Sequence, residues 1–301
     1  MSVHGWPRRA PAGRIAYVNG AYVRHGEAQV HVEDRGLQFA DAIYEVFAIT
    51  GGALLDEEEH FDRLERSLRE LAMAEPMSRR ALKFVLRELV RRNRVDEGLV
   101  YLQVTRGTLR RDHAIPKGAL RPSLILTARR IDPGAAEKRR QDGIRAITRP
   151  DERWARCDIK STALLPNILA KSAARGAGAF EAWLVDRDGY VTEGSSTSAW
   201  IVDAEGRLVT RDLSNAILPG VTRRVIMEAL AEAQIPVVER RFTPGEAFSA
   251  REAFISAATL GATPVVTLDG KPIGDGRPGP VTRRVQELYG RLAASRVTKD
   301  A

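Results

Sequence analysis

Apolar positions along the chain follow two periods, and the changes between them mark the elements. Near the start, the apolar runs 15–18 and 21–23 flank Asn19-Gly20. Asn-Gly tolerates positive φ at both central positions of a type I′ turn, so a β-hairpin is predicted there. A further extended stretch is expected at 28–32. Residues 43–49 read as a buried strand, and Gly51-Gly52 turns the chain into 53–55. The period then changes. Phe61, Leu64, Leu68 and Leu71 recur at three- and four-residue spacings, which predicts a helix over 60–73. Ser78 is placed to cap a second helix over 79–92, with Leu82, Val85, Leu86 and Leu89 on one face. Strands are predicted at 99–105 and 124–128, separated by a charged loop, 106–121.

The second half repeats the mixture. A strand at 144–148 leads through an irregular stretch, 150–160, into a helix near 165–175. Short strands follow at 181–185, around Val191 and at 197–202, with Asp188-Gly189 and Glu205-Gly206 as turns. A helix over 220–234, strands at 253–256 and 265–268 and a terminal helix over 281–296 complete the pattern. Asp132-Pro133-Gly134 and the charge run after it make 131–142 the expected linker. The expected division is therefore a smaller N-terminal α/β domain, 1–130, and a larger C-terminal domain, 143–301. Strands and helices alternate in both, so the fold class is α/β or α+β.

Composition narrows the class. A chain of 301 residues has room for two cores, and 44% hydrophobic with 29% charged residues is ordinary for a soluble globular protein. Cys157 is the single cysteine, which excludes an internal disulfide framework. No apolar run approaches the ~20 residues of a membrane span, and residues 1–11 lack the apolar core of a secretory signal. A cytoplasmic protein without a membrane partner is expected. The net charge is +8, yet only seven of the 47 basic residues are lysines, and the surplus is spread along the chain. Nucleic-acid binding would require a clustered stripe or interleaved aromatics, so the excess is read as a solvated arginine-rich surface. It also suits anionic small molecules.

The chemistry lies elsewhere. The five histidines form no metal-ligand spacing, so no metal is expected. Neither a Gly-x-Gly-x-x-Gly nor a Walker loop nor a Gly-x-Ser-x-Gly elbow is present. Four segments stand out. Thr192-Glu193-Gly194 is followed by a run of hydroxyl residues between two strands. Taken alone it is a polar turn. Lys160 ends an irregular stretch before an apolar helix, in a chain poor in lysine. Leu218-Pro219-Gly220-Val221-Thr222 opens a helix with free N–H groups and a hydroxyl, a setting that suits a phosphate. His60-Phe61-Asp62-Arg63-Leu64 places an arginine early in a helix.

Taken in chain order from about Tyr17 to Gly270, Glu33-Asp34-Arg35-Gly36, the His-x-x-Arg-Leu of 60–64, Lys160, Thr192-Glu193-Gly194 and the Gly-x-Thr-Arg of 220–223 resemble the fold-type IV pyridoxal-phosphate enzymes, the class IV aminotransferases, and within them the D-amino-acid aminotransferases. The resemblance implies two domains, the second a pseudo-barrel, with pyridoxal 5′-phosphate at their interface. It implies that Lys160 carries this cofactor as a Schiff base and then moves the proton of a 1,3-shift, which requires a deprotonated amine. Glu193 matches the carboxylate that faces the pyridine nitrogen and keeps the ring electron-poor. Arg63 matches the arginine paired with the phosphate, Val221 N–H and Thr222 match the phosphate cup, and Leu218 matches a residue beside the ring. The 105–113 loop carries the Arg-x-His pair of D-amino-acid enzymes as Arg111 and His113, and an early strand supplies Tyr44. Together they would trap the substrate α-carboxylate. In the family this loop comes from the neighbouring subunit, so a homodimer is implied.

The reaction implied is transfer of an amino group from a D-amino acid, D-alanine foremost, to a 2-oxo acid such as 2-oxoglutarate or pyruvate. The alternatives on the same fold are a branched-chain L-aminotransferase, an R-selective amine transaminase and an aminodeoxychorismate lyase. Two departures from the family pattern stand out. Ala40-Asp41-Ala42 replaces the frequent Gly-Asp-Gly, and Ala257-Ala258 stand where phosphate-binding hydroxyls are usual, which leaves Thr259 to compensate.

Overall fold

In the computed structural model, residues 13–115, 118 and 120–297 are described. The Asn19-Gly20 turn forms with positive φ at both residues, 48° and 106°, and joins β1 (Ile15–Val18) to β2 (Ala21–Arg24). The chain divides into two units, 1–131 and 132–301, each with its own sheet.

In the first unit a short helix, α1 (Arg35–Phe39), precedes β3 (Ala42–Thr50) and β4 (Ala53–Leu54). Two amphipathic helices, α2 (Glu57–Glu70) and α3 (Arg79–Asn93), lead to β5 (Gly98–Thr105) and β6 (Ser123–Arg130). The six strands run β2-β1-β6-β5-β3-β4, every pairing antiparallel. Ser78 caps α3 as its position implies, accepting from Ala81 N–H at 3.4 Å.

The stretch at 28–32 corrects the sequence reading. It contains no strand; a 3-10 turn (His25–Glu27) precedes it, and α1, which the apolar pattern does not reveal, begins soon after. The cause of α1 is partly tertiary. Asp34 accepts from Gly36 N–H at 2.8 Å and from Thr105 Oγ1 at 2.9 Å. A Cβ at Gly36 would lie 2.4 Å from Thr105 Cγ2, so only glycine lets this turn close on β5. Helix α1 ends at Ala40, whose φ of +56° places an L-residue in the left-handed region. This explains physically why glycine is frequent there. Ala40→Gly should therefore stabilise the protein by about 0.5–1 kcal/mol, the relief of the left-handed Cβ less the added freedom of the unfolded chain. Denaturant unfolding measures it, and a loss of stability would contradict the assignment of strain.

Helix α2 docks on β3 through Phe61, Leu64 and Leu68, and through one ionic group. Glu45 of β3 is fully buried. It accepts from Arg63 Nε at 2.8 Å and Nη2 at 2.7 Å and lies 2.7 Å from His60 Nδ1. Burial alone would raise its pKa, but Arg63 and His60 overcome this and hold it at about 2. His60 is itself pushed down by burial against the pull of Glu45. Both groups take up protons more readily when unfolded, so both favour the fold at neutral pH. Their contribution should shrink as pH falls, first below about 6.5 and then from about 4.5 toward 2. For Glu45 the loss is on the order of 3 kcal/mol. Thermal unfolding from pH 7 to 3 should show the loss, and Glu45→Gln should flatten it.

The second unit begins where a linker is expected. Instead, 133–142 form α4 (Pro133–Asp142), capped by the Asp132 carboxylate, which accepts from Gly134 N–H at 2.9 Å. Asp-Pro reads as a breaker, but Pro at the first helical position costs no hydrogen bond, so it opens a helix as readily as it ends one. Then follow β7 (Ile144–Pro150), α5 (Leu165–Gly176), β8 (Glu181–Val185), β9 (Val191–Gly194), β10 (Ser198–Val202), β11 (Leu208–Thr210), α6 (Val221–Glu232), β12 (Val237–Glu239), α7 (Pro244–Ser249), β13 (Glu252–Ala257), β14 (Gly261–Leu268), β15 (Lys271–Pro272) and α8 (Pro280–Val297). The sheet runs β12-β11-β10-β13-β14-β7-β8-β9, with β15 on β14. Pairings β11–β12, β14–β7 and β7–β8 are parallel, and α5 is the crossover between β7 and β8. One apolar cluster centres on Trp183, Ile201 and Phe242, another on Trp200, Phe254 and Val225.

Candidate active site

In the second unit, three segments far apart in sequence converge. Glu193, buried on β9, accepts Leu218 N–H on both carboxylate oxygens at 3.2 Å and pairs with Arg153 Nη1. The positive charge of Lys160 acts on the same carboxyl. Lys160, Glu193 and Leu218 are thus brought together. The irregular stretch before Lys160 is held by its own contacts. Cys157 N–H donates to Asn215 O at 2.9 Å, Arg156 forks onto Asp158 at 2.9 and 3.0 Å, and Ser161 N–H donates to Ile159 O at 2.8 Å. Burial pushes the Cys157 thiol up to about 11, which leaves it protonated and no nucleophile at neutral pH.

Arg153 is the residue of this cluster that the sequence reading misses. Its guanidinium donates to Asp151 at 2.9 and 2.7 Å, to Thr192 Oγ1 at 3.3 Å and to Ala216 O at 3.1 Å, besides Glu193. Thr192 Oγ1 in turn donates to Asp151 at 2.6 Å. One cation therefore ties 151–153, β9 and the 214–218 stretch. The available signal was the charged trio Asp151-Glu152-Arg153, which looks like surface.

Burial pushes the Glu193 carboxyl up, opposed by Arg153, by Leu218 N–H and by Lys160. A further cation beside this acid would lower its pKa again. At the start of α6, Gly220 offers no side-chain cap, and the hydroxyl of Thr222 is buried without a hydrogen-bond partner. A Cβ at Gly220 would lie 3.0 Å from Ser198 Oγ. Uncapped N–H groups and an orphaned hydroxyl at a helix N-terminus fit a phosphate. Thr259 lies half-buried in the turn between β13 and β14.

The hydroxyl run after Glu193 has a mainly internal role. Glu181, fully buried, is contacted by Ser195 Oγ, by Ser196 Oγ at 3.4 Å and by Thr197 Oγ1 at 3.2 Å. Lys171, which had no role in the sequence reading, pairs with Glu181 at 3.2 Å. Asn167 of α5 holds Ser195 O at 2.8 Å. A Cβ on Gly194 would collide with Thr197 Oγ1, so glycine is required where the turn closes.

Tyr44, Arg63, Arg111 and His113 all belong to the first unit. Tyr44 is half-exposed on β3 and stacks on Tyr101 with ring centroids 5.7 Å apart. Arg63 is buried against Glu45. Arg111 and His113 are exposed on the 106–122 loop, and both pack on the ring of Phe39, at 4.6 Å and 5.3 Å. Among the described residues no group of acidic, histidine or cysteine side chains could hold a metal ion, and no helix is long and apolar enough to cross a membrane.

These features belong to one class of protein. The model of the class IV amino-transferases matches residues 42–268, and the chain belongs to that family. It is 41% identical over 268 residues to the D-alanine aminotransferase of Bacillus licheniformis, covering 89% of this chain and 93% of that protein. The D-alanine aminotransferase of Staphylococcus haemolyticus is 38% identical over 93% of this chain and 98% of its own length. Among solved structures, a branched-chain amino acid aminotransferase from Escherichia coli superposes with a TM-score of 0.85 at 26% identity, covering 93% of this chain and 95% of that one. The branched-chain amino acid aminotransferase of T.th., in a structure with pyridoxamine 5′-phosphate, gives 0.84 at 26% identity over 94% of this chain and 95% of that one.

Proposed function

We propose that this chain is a D-amino-acid aminotransferase, dependent on pyridoxal 5′-phosphate, that exchanges the amino group of D-alanine with a 2-oxo acid such as 2-oxoglutarate. The observation that carries the cofactor is the buried Glu193, fixed by Arg153 and Leu218 N–H and acted on by Lys160, together with the orphaned Thr222 hydroxyl at the α6 N-terminus. When bound, the cofactor supplies an electron sink for the bond broken at the substrate Cα. The chain supplies the rest. Val221 N–H and Thr222 bind the phosphate, with Arg63 and Thr259 assigned to the same group. Glu193 holds a negative charge against the ring nitrogen, and Leu218 N–H and Arg153 keep that carboxylate oriented. The Lys160 amine would attach the cofactor and, once released by the substrate, would carry the proton between the substrate Cα and the C4′ carbon of the cofactor.

Tyr44, Arg111 and His113 are assigned to the substrate carboxylate. An Arg-x-His pair favours the D-amino-acid reading over the branched-chain one, as do the D-alanine aminotransferase relatives. We place the enzyme in the cytoplasm as a homodimer in which Arg111 and His113 serve the neighbouring site. The exposed apolar residues Leu165, Ile168 and Leu169 on α5 support self-association.

With D-alanine and 2-oxoglutarate, the purified protein loaded with cofactor should release pyruvate with ping-pong kinetics. L-Leucine and 1-phenylethylamine should give no comparable rate. Activity with either of these and none with D-alanine would transfer the assignment to the branched-chain or amine class. Pyruvate release from aminodeoxychorismate without an acceptor would transfer it to the lyases.

A further inference from the structure

The Glu33-Asp34-Arg35-Gly36 segment has no part in the chemistry above, yet its arginine is almost wholly buried. Arg35 Nε donates to Asp41 at 2.8 Å, Nη1 to the carbonyl of Asp112 at 2.6 Å and Nη2 to that of His113 at 3.5 Å. Asp41 is simultaneously held by Arg106 Nε at 2.7 Å. The backbone adds two points: Arg35 N–H donates to Gly107 O at 2.9 Å, and Leu109 N–H to Glu33 O at 3.3 Å. The loop is thus clamped at 107, 109, 112 and 113. On the outer side, the Phe39 ring is shared by three groups. The Arg35 guanidinium carbon lies 4.9 Å from its centroid, that of Arg111 4.6 Å, and the His113 ring 5.3 Å.

From this we infer that Arg35 and Phe39 of α1 are positioning residues: they set the spacing and orientation of Arg111 and His113, and so tune affinity for carboxylate-bearing substrates. The inference rests on the carboxylate-anchor assignment above and deepens it. Two exposed side chains on a long charged loop would lose much of their rotamer freedom on binding a carboxylate. Packing both against one ring removes part of that cost beforehand. The forked guanidinium suits the inner clamp because it reaches two successive carbonyls and a carboxylate at once, which an ammonium group cannot do.

Arg35 is buried against Asp41, so its replacement threatens the fold itself, and Phe39, half-exposed, is the better probe. In the cofactor-loaded enzyme, Phe39→Leu should raise KM for D-alanine about five- to tenfold, the scale of losing cation–π contacts. The dissociation constant of propionate, read by titrating the visible spectrum, should rise in parallel. The value of kcat, the cofactor dissociation constant and Tm should stay near those of the parent. Phe39→Tyr, which keeps the ring face, should restore parental KM. Arg111→Gln serves as the reference for the underlying assignment. If Arg111→Gln raises KM and Phe39→Leu leaves it within twofold, the positioning inference falls and the anchor stands. If Arg111→Gln also leaves KM and propionate binding unchanged, the anchor assignment fails and the inference with it. A fall in kcat and Tm of Phe39→Leu at constant KM would mark a purely structural ring and also overturn it.

Discussion

Lys160→Ala is expected to lose at least about 10⁴-fold in the rate of pyruvate formation from D-alanine, because one amine is asked both to attach the cofactor and to carry the proton. The effect is separable from folding. Lys160 is half-exposed at the end of an irregular stretch whose shape is set by Cys157, Arg156 and Ser161 through contacts of their own. Thermal unfolding of the apoprotein should therefore stay close to the parent. Borohydride treatment of the loaded parent should add the cofactor mass to a peptide containing residue 160, and treatment of the variant should add none. Retention of more than about 1% of parental turnover by Lys160→Ala would remove the central residue from the proposed reaction.

The second large effect concerns stability. Arg153→Met should destabilise the protein by about 3–5 kcal/mol, since it leaves Asp151 and Glu193 buried with their shared cation gone. In a domain of this size that corresponds to a fall in Tm of roughly 10 °C. The loss should depend on pH, and its sign follows from both acids. Burial opposes ionisation of Asp151, but Arg153 and Thr192 hold its pKa below the ordinary 3.8, so its stabilising share exists only above that value. Glu193 is raised above its ordinary 4.5 by burial, so it weakens the fold as pH rises through that window. Removing Arg153 raises both acids, and the deficit should grow from pH 4 toward pH 7. Arg153→Lys should fall between, because one ammonium cannot reach Asp151, Thr192, Glu193 and the Ala216 carbonyl together. A variant as stable as the parent at pH 7 would refute the assigned electrostatic role.

Much of this molecule was readable in the chain. Helices α2, α3, α6 and α8 announce themselves because each buries one face, and a half-buried helix must repeat its apolar residues every three or four positions. The β1–β2 hairpin was legible from two residues, since few pairs besides Asn-Gly accept positive φ twice in succession. Lys160, Glu193 and the Gly220–Thr222 helix start could be found because their segments, each weak alone, follow one another in the order of a known family.

Arg153, α1 and α4 were not legible in this way. Their form depends on partners distant in sequence or on a local balance that the apolar pattern does not express. Asp-Pro-Gly at 132–134 is compatible with both a turn and a helix start. Gly36 forms a helix turn because Thr105, 69 residues later, leaves no room for a side chain. Arg35 looks like one more arginine in an arginine-rich chain until the carbonyls of Asp112 and His113 are seen at its nitrogens.

By itself, then, the sequence determined the secondary elements with a strong apolar period and the mixed α/β class, which are local properties set by side-chain spacing and backbone preference; Lys160 and Glu193 stood out through the order of motifs that resembles the family. Only the tertiary structure decided which charges neutralise one another. It put Arg153 between Asp151 and Glu193, Glu45 between His60 and Arg63, and Glu181 beside Lys171. The physical reason is that a charge is stable in a buried site only with a partner at hydrogen-bond distance, and the chain can bring that partner from any distance along its length.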